Sequence, residues 1–150
     1  MNFLIMVLIL QWNAQSICAH NSEFKNSICS WTEKPDVICL QETWLKHSKN
    51  FTLPGYNIYR YDREITEPKK GGGGCAFLVK RGTAFKYILG SNSPMEFQIG
   101  EIYDNNKRKI NIINVYNPCK TLDNTCLQKI LSKCKNPCII CGDLNGHNPL

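Results

Sequence analysis

The sequence predicts a single layered domain of the α/β or α+β class. Two observations indicate this class: apolar runs typical of buried strands outnumber segments with helical apolar spacing, and hairpin signals are mixed with helical crossovers. The chain has 150 residues, of which 43% are hydrophobic and 20% are charged. A chain of this length and composition can bury a substantial core, so wholesale disorder is not expected.

The first half of the chain alternates strand-like and helix-like segments. Residues 3–12 form an apolar run that lacks the basic start of a signal peptide and is too short to span a bilayer, so we interpret it as a buried strand. Apolar residues in 17–31 recur at helical spacing, and Pro35 ends that predicted helix. Segment 36–41 then predicts a second buried strand, and 55–62 an alternating, half-exposed strand.

The second half continues this alternation. Four glycines at 71–74 precede a strand, CAFLVK, and lack the continuation of a nucleotide-binding P-loop. We therefore expect them to let the backbone bend near a sheet edge. Strand-like runs at 97–103 and 109–116 flank a hairpin signal. Residues 121–135 predict a second helix, and CIIC at 138–141 predicts a last buried strand.

Charge and cysteine content bear on partner and compartment. The net charge of +6 favours a polyanionic partner. Nine cysteines include Cys39 and Cys141 within apolar runs, where reduced cysteine behaves as a small hydrophobe, so we expect a reducing, intracellular compartment. Cys134, Cys138, Cys141 and His147 are ligand types at short spacing. Thiols on alternating strand faces rarely close a tetrahedron, so no zinc is expected.

Polar residues stand where four of the predicted buried strands end. They are Asn13, Glu42, Tyr116 with Asn117, and Asp143 with Asn145. Side chains beyond the ends of adjacent strands converge at one rim of a sheet, which is where ligand sites gather. Each residue taken singly is more typical of a turn after a strand. Together they define a candidate site.

Five motifs occur in the order found in the endonuclease/exonuclease/phosphatase superfamily: QWNAQS, LQET, GGGGCAFLVK, NVYNP and GDLNGHN. With GYNIYRYDR and GDLNGHNPL, the chain most resembles the N-terminal endonuclease domain of jockey- and RTE-like non-LTR retrotransposons. The resemblance covers residues 8–150. It implies a four-layer, DNase I-like α/β sandwich that hydrolyses phosphodiesters with Mg²⁺, or alternatively Mn²⁺. It also implies DNA as the partner, a nuclear location and no membrane association.

The resemblance implies a role for each candidate residue. Glu42 would be the metal carboxylate, assisted by Asn13, since Mg²⁺ prefers oxygen ligands. Asp143 would orient or deprotonate the attacking water. Asn145 would hold a phosphate oxygen, and Tyr116 would place its hydroxyl near the scissile phosphate.

Basic residues around the glycine run are candidate contacts for DNA phosphates. We select Arg60, Arg63 and Lys80, for each of which a solvated loop is the alternative interpretation. Asn117 is a further candidate for substrate binding, with a turn before the following proline as its alternative role.

The resemblance also departs from the family pattern. Family members continue with further strands, another acidic residue and a Ser-Asp-His motif, which are not found in this sequence. We therefore expect residues 1–150 to form the N-terminal two thirds of the domain, lacking the last strands, with weak or no activity. Three alternatives stay open: a phosphomonoesterase of the same fold, a catalytically dead DNA-binding remnant, and a secreted nuclease with residues 1–19 as its signal.

Overall fold

The strands and helices lie within the parts of the chain that the structure, a computed structural model, describes. These are residues 6–64, 72–91, 95–104, 106–118, 122 and 124–146. The elements follow in the order β1 (Ile9–Asn13), α1 (Asn21–Ser30), β2 (Val37–Gln41), β3 (Tyr56–Tyr61), β4 (Cys75–Lys80), β5 (Phe85–Ser91), β6 (Glu96–Tyr103), β7 (Lys109–Tyr116), α2 (Asn124–Leu131) and β8 (Cys138–Asp143). Neither of these two helices has the length and apolar character needed to cross a membrane.

Two mixed four-stranded sheets form the framework. Sheet A has the strand order β1-β2-β4-β3, and sheet B has the order β5-β6-β7-β8. β1 pairs parallel to β2 and β7 pairs parallel to β8, while the other neighbours are antiparallel. A parallel pair needs a crossover connection, which α1 supplies between β1 and β2 and α2 supplies between β7 and β8.

Apolar side chains fill the space between the sheets and under each helix. The interior between the sheets contains Cys39, Phe77 and Ile112. Phe24 and Ile28 of α1 pack with the outward side chains of β2 and β4, and α2 packs in the same way on β6 and β7. Because β2 and β4 are buried on both faces, their sequences are continuous apolar runs without alternation.

The interior becomes polar at the end where β2 and β7 finish. Gln41 and Asn114 are fully buried there, and the Gln41 amide donates to Asn114 Oδ1 at 2.6 Å. Asn114 Nδ2 in turn donates to the backbone carbonyls of Leu40 and Ala76 in sheet A at 3.0 and 3.1 Å. These bonds satisfy the buried polar groups and fix β7 of one sheet against β2 of the other.

The last strand differs from the sequence prediction. β8 was expected to be buried, but Cys138 is exposed, Ile139 and Ile140 are 38% and 39% exposed, and Cys141 is only half-buried. The prediction of a buried strand is wrong because β8 lies at the edge of sheet B, where one side of it has no neighbour among the described strands. An apolar run indicates a strand, but burial depends on what packs against it.

Other strands and helices compare more closely with the predictions. The hairpin between β6 and β7 is present, closed by a hydrogen bond from the backbone N–H of Asp104 to the carbonyl of Arg108 at 2.9 Å. No strand was predicted for β5, which is an edge strand with alternating burial and a register shift. The helices are shorter than predicted, because 17–20 form turns before α1 and α2 ends at Leu131.

Candidate active site

Four strand ends bring the candidate residues to one rim of the two sheets. β1 ends at Asn13, β7 at Tyr116 and β8 at Asp143, while Glu42 directly follows β2. Asn13 connects the two sheets, because its Nδ2 donates to Glu42 Oε1 and to Asp143 Oδ2, each at 2.8 Å. The structure therefore brings together the strand-end residues that the sequence analysis grouped.

The side-chain amide of Asn13 is oriented by the backbone. Its Oδ1 accepts a hydrogen bond from the N–H of Gln15 at 3.2 Å, which leaves Nδ2 facing both carboxylates. An amide nitrogen donates and does not coordinate a metal. In this arrangement Asn13 holds Glu42 and Asp143 together, and binding a metal through its oxygen would require the amide to rotate by half a turn.

Glu42 lies in a strained turn that the glycine run supports. The backbone φ angles of Glu42 and Trp44 are +49° and +52°, values that side-chain-bearing residues rarely adopt. The turn is held by hydrogen bonds from the N–H of Thr43 to the carbonyl of Gly74 at 3.1 Å and from that of Trp44 to Gly73 at 2.9 Å. The described glycines thus precede a central strand and support the residue that the family resemblance assigns to the metal.

Tyr116 connects Glu42 to a buried ion pair. Its hydroxyl donates to the Glu42 carboxylate, and burial together with this carboxylate raises the pKa of Tyr116 to about 12, so the phenol stays protonated at neutral pH. The Arg63 guanidinium lies 5.9 Å from the centre of the Tyr116 ring and forms an ion pair with Glu96. Glu96 is 2% exposed and also accepts from the N–H of Gly74 at 2.5 Å.

A closed turn follows Asp143. The N–H of Asn145 donates to Asp143 Oδ1 at 3.0 Å, and the Asn145 side-chain amide donates to the carbonyl of Asn117 at 2.7 Å. Asn117 is buried, and its own side chain donates to the carbonyl of Leu144 at 2.9 Å. This geometry favours the turn role of Asn117 and uses part of the Asn145 amide that was predicted to hold a phosphate oxygen.

Two of the predicted phosphate contacts are engaged in contacts with other parts of the protein. Arg60 donates to two backbone carbonyls of the loop 46–49, at 2.7 and 3.0 Å, and pairs with Asp62 at 2.6 Å. Lys80 lies at the opposite end of β4 and pairs with Asp36 at 2.5 Å. Both side chains make structural contacts here, and their role in binding substrate stays a prediction.

Glu42 and Asp143 form a donor set suited to a hard cation. Their hydrogen-bond donors are neutral: the Asn13 amide, the Tyr116 hydroxyl, the Trp44 indole at 3.3 Å and a backbone N–H. Within the described residues neither carboxylate forms an ion pair with a basic side chain. Mg²⁺ is held by one or two carboxylates with waters and substrate phosphate completing its shell, so this set fits it.

The cysteine spacing resolves into two separate thiol pairs. Cys39 and Cys141 share a hydrogen bond that, with burial, raises the pKa of Cys39, while Cys134 is paired with Cys138. His147 lies outside the described residues. Across the part of the chain that the structure describes, no three His, Cys, Asp or Glu side chains are grouped to hold a metal.

Comparison with known proteins identifies the family to which this chain belongs. The model of the Endonuclease/Exonuclease/phosphatase family matches residues 10–149. The chain belongs to this family. Enzymes of the family generally depend on a divalent metal, and in this member the carboxylate that could hold one is Glu42, which Asn13 joins to Asp143. No curated protein sequence matches the chain.

Two solved structures resemble this endonuclease/exonuclease/phosphatase chain. The 3′ phosphatase NExo from Neisseria, bound to a product DNA hairpin, superposes with a TM-score of 0.58 at 15% identity over 93% of the chain. The 3′-5′ exonuclease NExo from Neisseria meningitidis gives a TM-score of 0.47 at 19% identity over 72% of the chain. The chain spans 58% and 40% of their lengths, and the first similarity shows a shared fold.

Sequence reasoning did not select Glu96 or Trp44. Glu96 has no local signal, because it begins a strand and its partner Arg63 is distant in sequence. Trp44 follows Glu42 by two positions within the LQET motif region, so its place in the motif could have indicated a role.

Proposed function

We propose that this chain carries the metal-dependent, DNA-nicking machinery of a non-LTR retrotransposon endonuclease. The observation that supports it most is the Asn13 amide, which joins Glu42 of one sheet to Asp143 of the other at 2.8 Å each. Family membership supports hydrolysis of a phosphate ester. DNA as substrate, the retrotransposon origin and a nuclear location follow from the motif resemblance and from the basic net charge of +6.

Each residue has a proposed part in hydrolysis. Glu42 would hold a divalent cation, which when bound supplies charge neutralisation at the phosphate and the leaving oxygen. Asp143, positioned by Asn13, orients the attacking water and accepts its proton. Tyr116 is protonated and offers its hydroxyl to a phosphate oxygen. Arg63, between Glu96 and the Tyr116 ring, keeps that hydroxyl in place.

We also propose that the fold is a four-layer, DNase I-like sandwich and that turnover is weak. The sandwich is supported by α1 and α2, which cover the outer faces of the two sheets. Weak turnover is supported by the contacts of the two described histidines, because His20 lies against Trp12 and His47 lies near Asp62 rather than against Glu42 or Asp143.

A plasmid-nicking assay tests the proposal. We expect slow conversion of supercoiled plasmid with Mg²⁺, loss of nicking in EDTA, and loss on the order of 10²-fold or more for Glu42→Gln. Glu33→Gln, which removes one exposed carboxylate in the loop before β2, at the opposite end of that strand from Glu42, should nick like the wild type. Metal-independent nicking, or nicking that survives Glu42→Gln, contradicts the proposed site, and fast nicking contradicts the proposed weak turnover.

Two further substrates distinguish the alternatives. A 3′-phosphorylated oligonucleotide and a soluble sugar phosphate report phosphomonoesterase activity, which would replace nicking as the function if it depends on Glu42 and plasmid stays intact. Thermal unfolding with and without Mg²⁺ separates a weak enzyme from a DNA-binding remnant. A rise in the midpoint with Mg²⁺ that Glu42→Gln abolishes supports a retained metal site.

A further inference from the structure

Trp44 presents an exposed aromatic surface beside the candidate carboxylates. Its side chain is 46% exposed although its neighbours Thr43 and Leu45 are buried. Within the described ranges, no aromatic ring or cationic side chain is stacked on this indole, whereas Trp12 is stacked on Phe24 at 5.0 Å. Exposure of one large ring is common on protein surfaces, so a role for Trp44 depends on the groups around it.

The indole is held in place along its edge. Its Nε1 donates to Glu42 Oε2 at 3.3 Å, and its backbone N–H donates to the carbonyl of Gly73. Gly72 lies against the same edge, since a Cβ there would be 3.1 Å from Nε1. The ring is therefore fixed within one hydrogen bond of a carboxylate of the candidate site.

Three basic residues line one cleft together with this ring. Trp44 lines a cleft of about 280 Å³ together with Lys46, Lys49 and Arg63, and no carboxylate lines this cleft. Lys46 and Arg63 also line a larger neighbouring cleft of about 770 Å³, in which Arg60 adds a third cation and Asp62 and Glu64 add two carboxylates. An aromatic face among cations is the combination by which proteins bind single-stranded nucleic acid, with bases on the ring and phosphates on the basic residues.

We propose that Trp44 stacks on a nucleobase of an unpaired nucleotide next to the phosphate that the carboxylates address. This inference rests on the proposed function, since it takes DNA as the substrate. A nucleobase is favoured over a sugar or inositol phosphate because only the base offers a flat π-face to the indole. Trp44 would then be a substrate-binding residue that places the scissile phosphate relative to Glu42.

Binding of single strands with and without bases tests the stacking. The probes are a short fluorescein-labelled oligothymidylate and an abasic strand of the same length, both in EDTA to prevent hydrolysis. We expect Trp44→Ala to weaken oligothymidylate binding on the order of 5- to 100-fold and to leave abasic binding unchanged, because the phosphate contacts persist. Trp44→Phe, which keeps a ring but loses the N–H bond to Glu42, should stay closer to the wild type than Trp44→Ala.

Intrinsic fluorescence provides a second readout that does not depend on the alanine variant folding. Indole emission of the wild type should be quenched by oligothymidylate, and Trp44→Phe should abolish this quenching. Trp31→Phe is the matched control, since Trp31 is 41% exposed at the end of α1 and should leave the quenching intact.

Three outcomes separate this inference from the proposed function. Quenching that persists in Trp44→Phe, or equal weakening of both strands by Trp44→Ala, overturns the stacking role while DNA nicking can still stand. Wild-type protein that binds neither strand overturns DNA as the substrate and the stacking role with it. Base-dependent binding that is lost with Trp44, without any nicking, supports the stacking role and contradicts the proposed catalysis.

Discussion

Neutral donors hold the acidic side chains of the candidate site. Asn13 donates to Glu42 and Asp143, and Tyr116 donates to Glu42. A neutral donor orients a carboxylate and leaves its charge available to a cation, whereas a lysine or arginine would compensate that charge. Arg63 is nearby but pairs with the buried Glu96. The charge of Arg63 is therefore balanced without Glu42.

The protonation of Tyr116 gives a pH-dependent prediction. The folded-state pKa of about 12 lies above the ordinary value near 10, so the folded protein holds this proton more tightly than the unfolded chain. The resulting stabilisation is fully present below about pH 10 and is lost as pH rises from about 10 through 12. Urea unfolding should show a constant stability difference between wild type and Tyr116→Phe up to about pH 10, followed by a shift against the wild type.

Phenolate absorbance provides the control for this prediction. Burial raises the pKa of Tyr56 to about 12 as well, and its hydroxyl donates to the carbonyl of Pro35 far from the carboxylates. Tyr116→Phe and Tyr56→Phe should each remove one late-titrating tyrosine from the spectrum. An unchanged late phase in Tyr116→Phe would contradict the assigned pKa.

The residues before β4 support the turn that follows β2. Gly73 and Gly74 have φ angles of +76° and +84° and accept the hydrogen bonds of Trp44 and Thr43. The N–H of Gly74 also donates to the buried Glu96. This segment therefore connects the geometry of Glu42 to the interior of the sheets.

A pair of glycine substitutions tests this support. Gly74 and Gly55 have nearly equal φ angles of +84° and +83°, so alanine at either position has a similar backbone cost of about 1 kcal/mol. A Cβ at Gly74 would lie 2.8 Å from Thr43 Oγ1, whereas nothing lies within 4 Å at Gly55. We expect Gly74→Ala to lower the free energy of unfolding by a further 1–2 kcal/mol or so, as overpacking does. Equal losses in urea unfolding would contradict this role of Gly74.

The two sheets have neighbouring edge strands on one side of the molecule. β1 and β8 are edge strands of different sheets, and they contact one another across the interior. Apolar side chains are exposed on this side, including Leu8 at 36% and Ile140 at 39%. An edge strand with exposed apolar side chains pairs readily with another strand.

We predict that copies of the protein associate with one another through β8. Sedimentation velocity should show association of the wild type that grows with concentration and is reduced in Ile140→Lys, because a charge on an edge strand opposes pairing. Ile88→Lys is the matched control: Ile88 is 40% exposed on β5, the other edge of sheet B, where a register shift already interrupts pairing. A monomeric wild type, or equal effects of both variants, would contradict the prediction.

Local sequence patterns identify most of the segments that form strands and helices, and they identify the polar residues at the strand ends. Apolar runs and helical spacing depend on neighbouring residues, and therefore β2, β4, β7 and both helices were predictable. Convergence of Asn13, Glu42, Tyr116 and Asp143 was also predictable, since parallel strands end at a common edge. The identity of the superfamily followed from motif order.

The contacts among these residues and the burial of the apolar runs depend on tertiary packing. Arg60 and Arg63 lie three positions apart, yet one holds loop carbonyls and the other reaches Tyr116. The Asn13 amide meets a carboxylate 130 residues away, Asp143. Such contacts depend on how two sheets pack and on which strand lies at an edge, and no local pattern encodes either property.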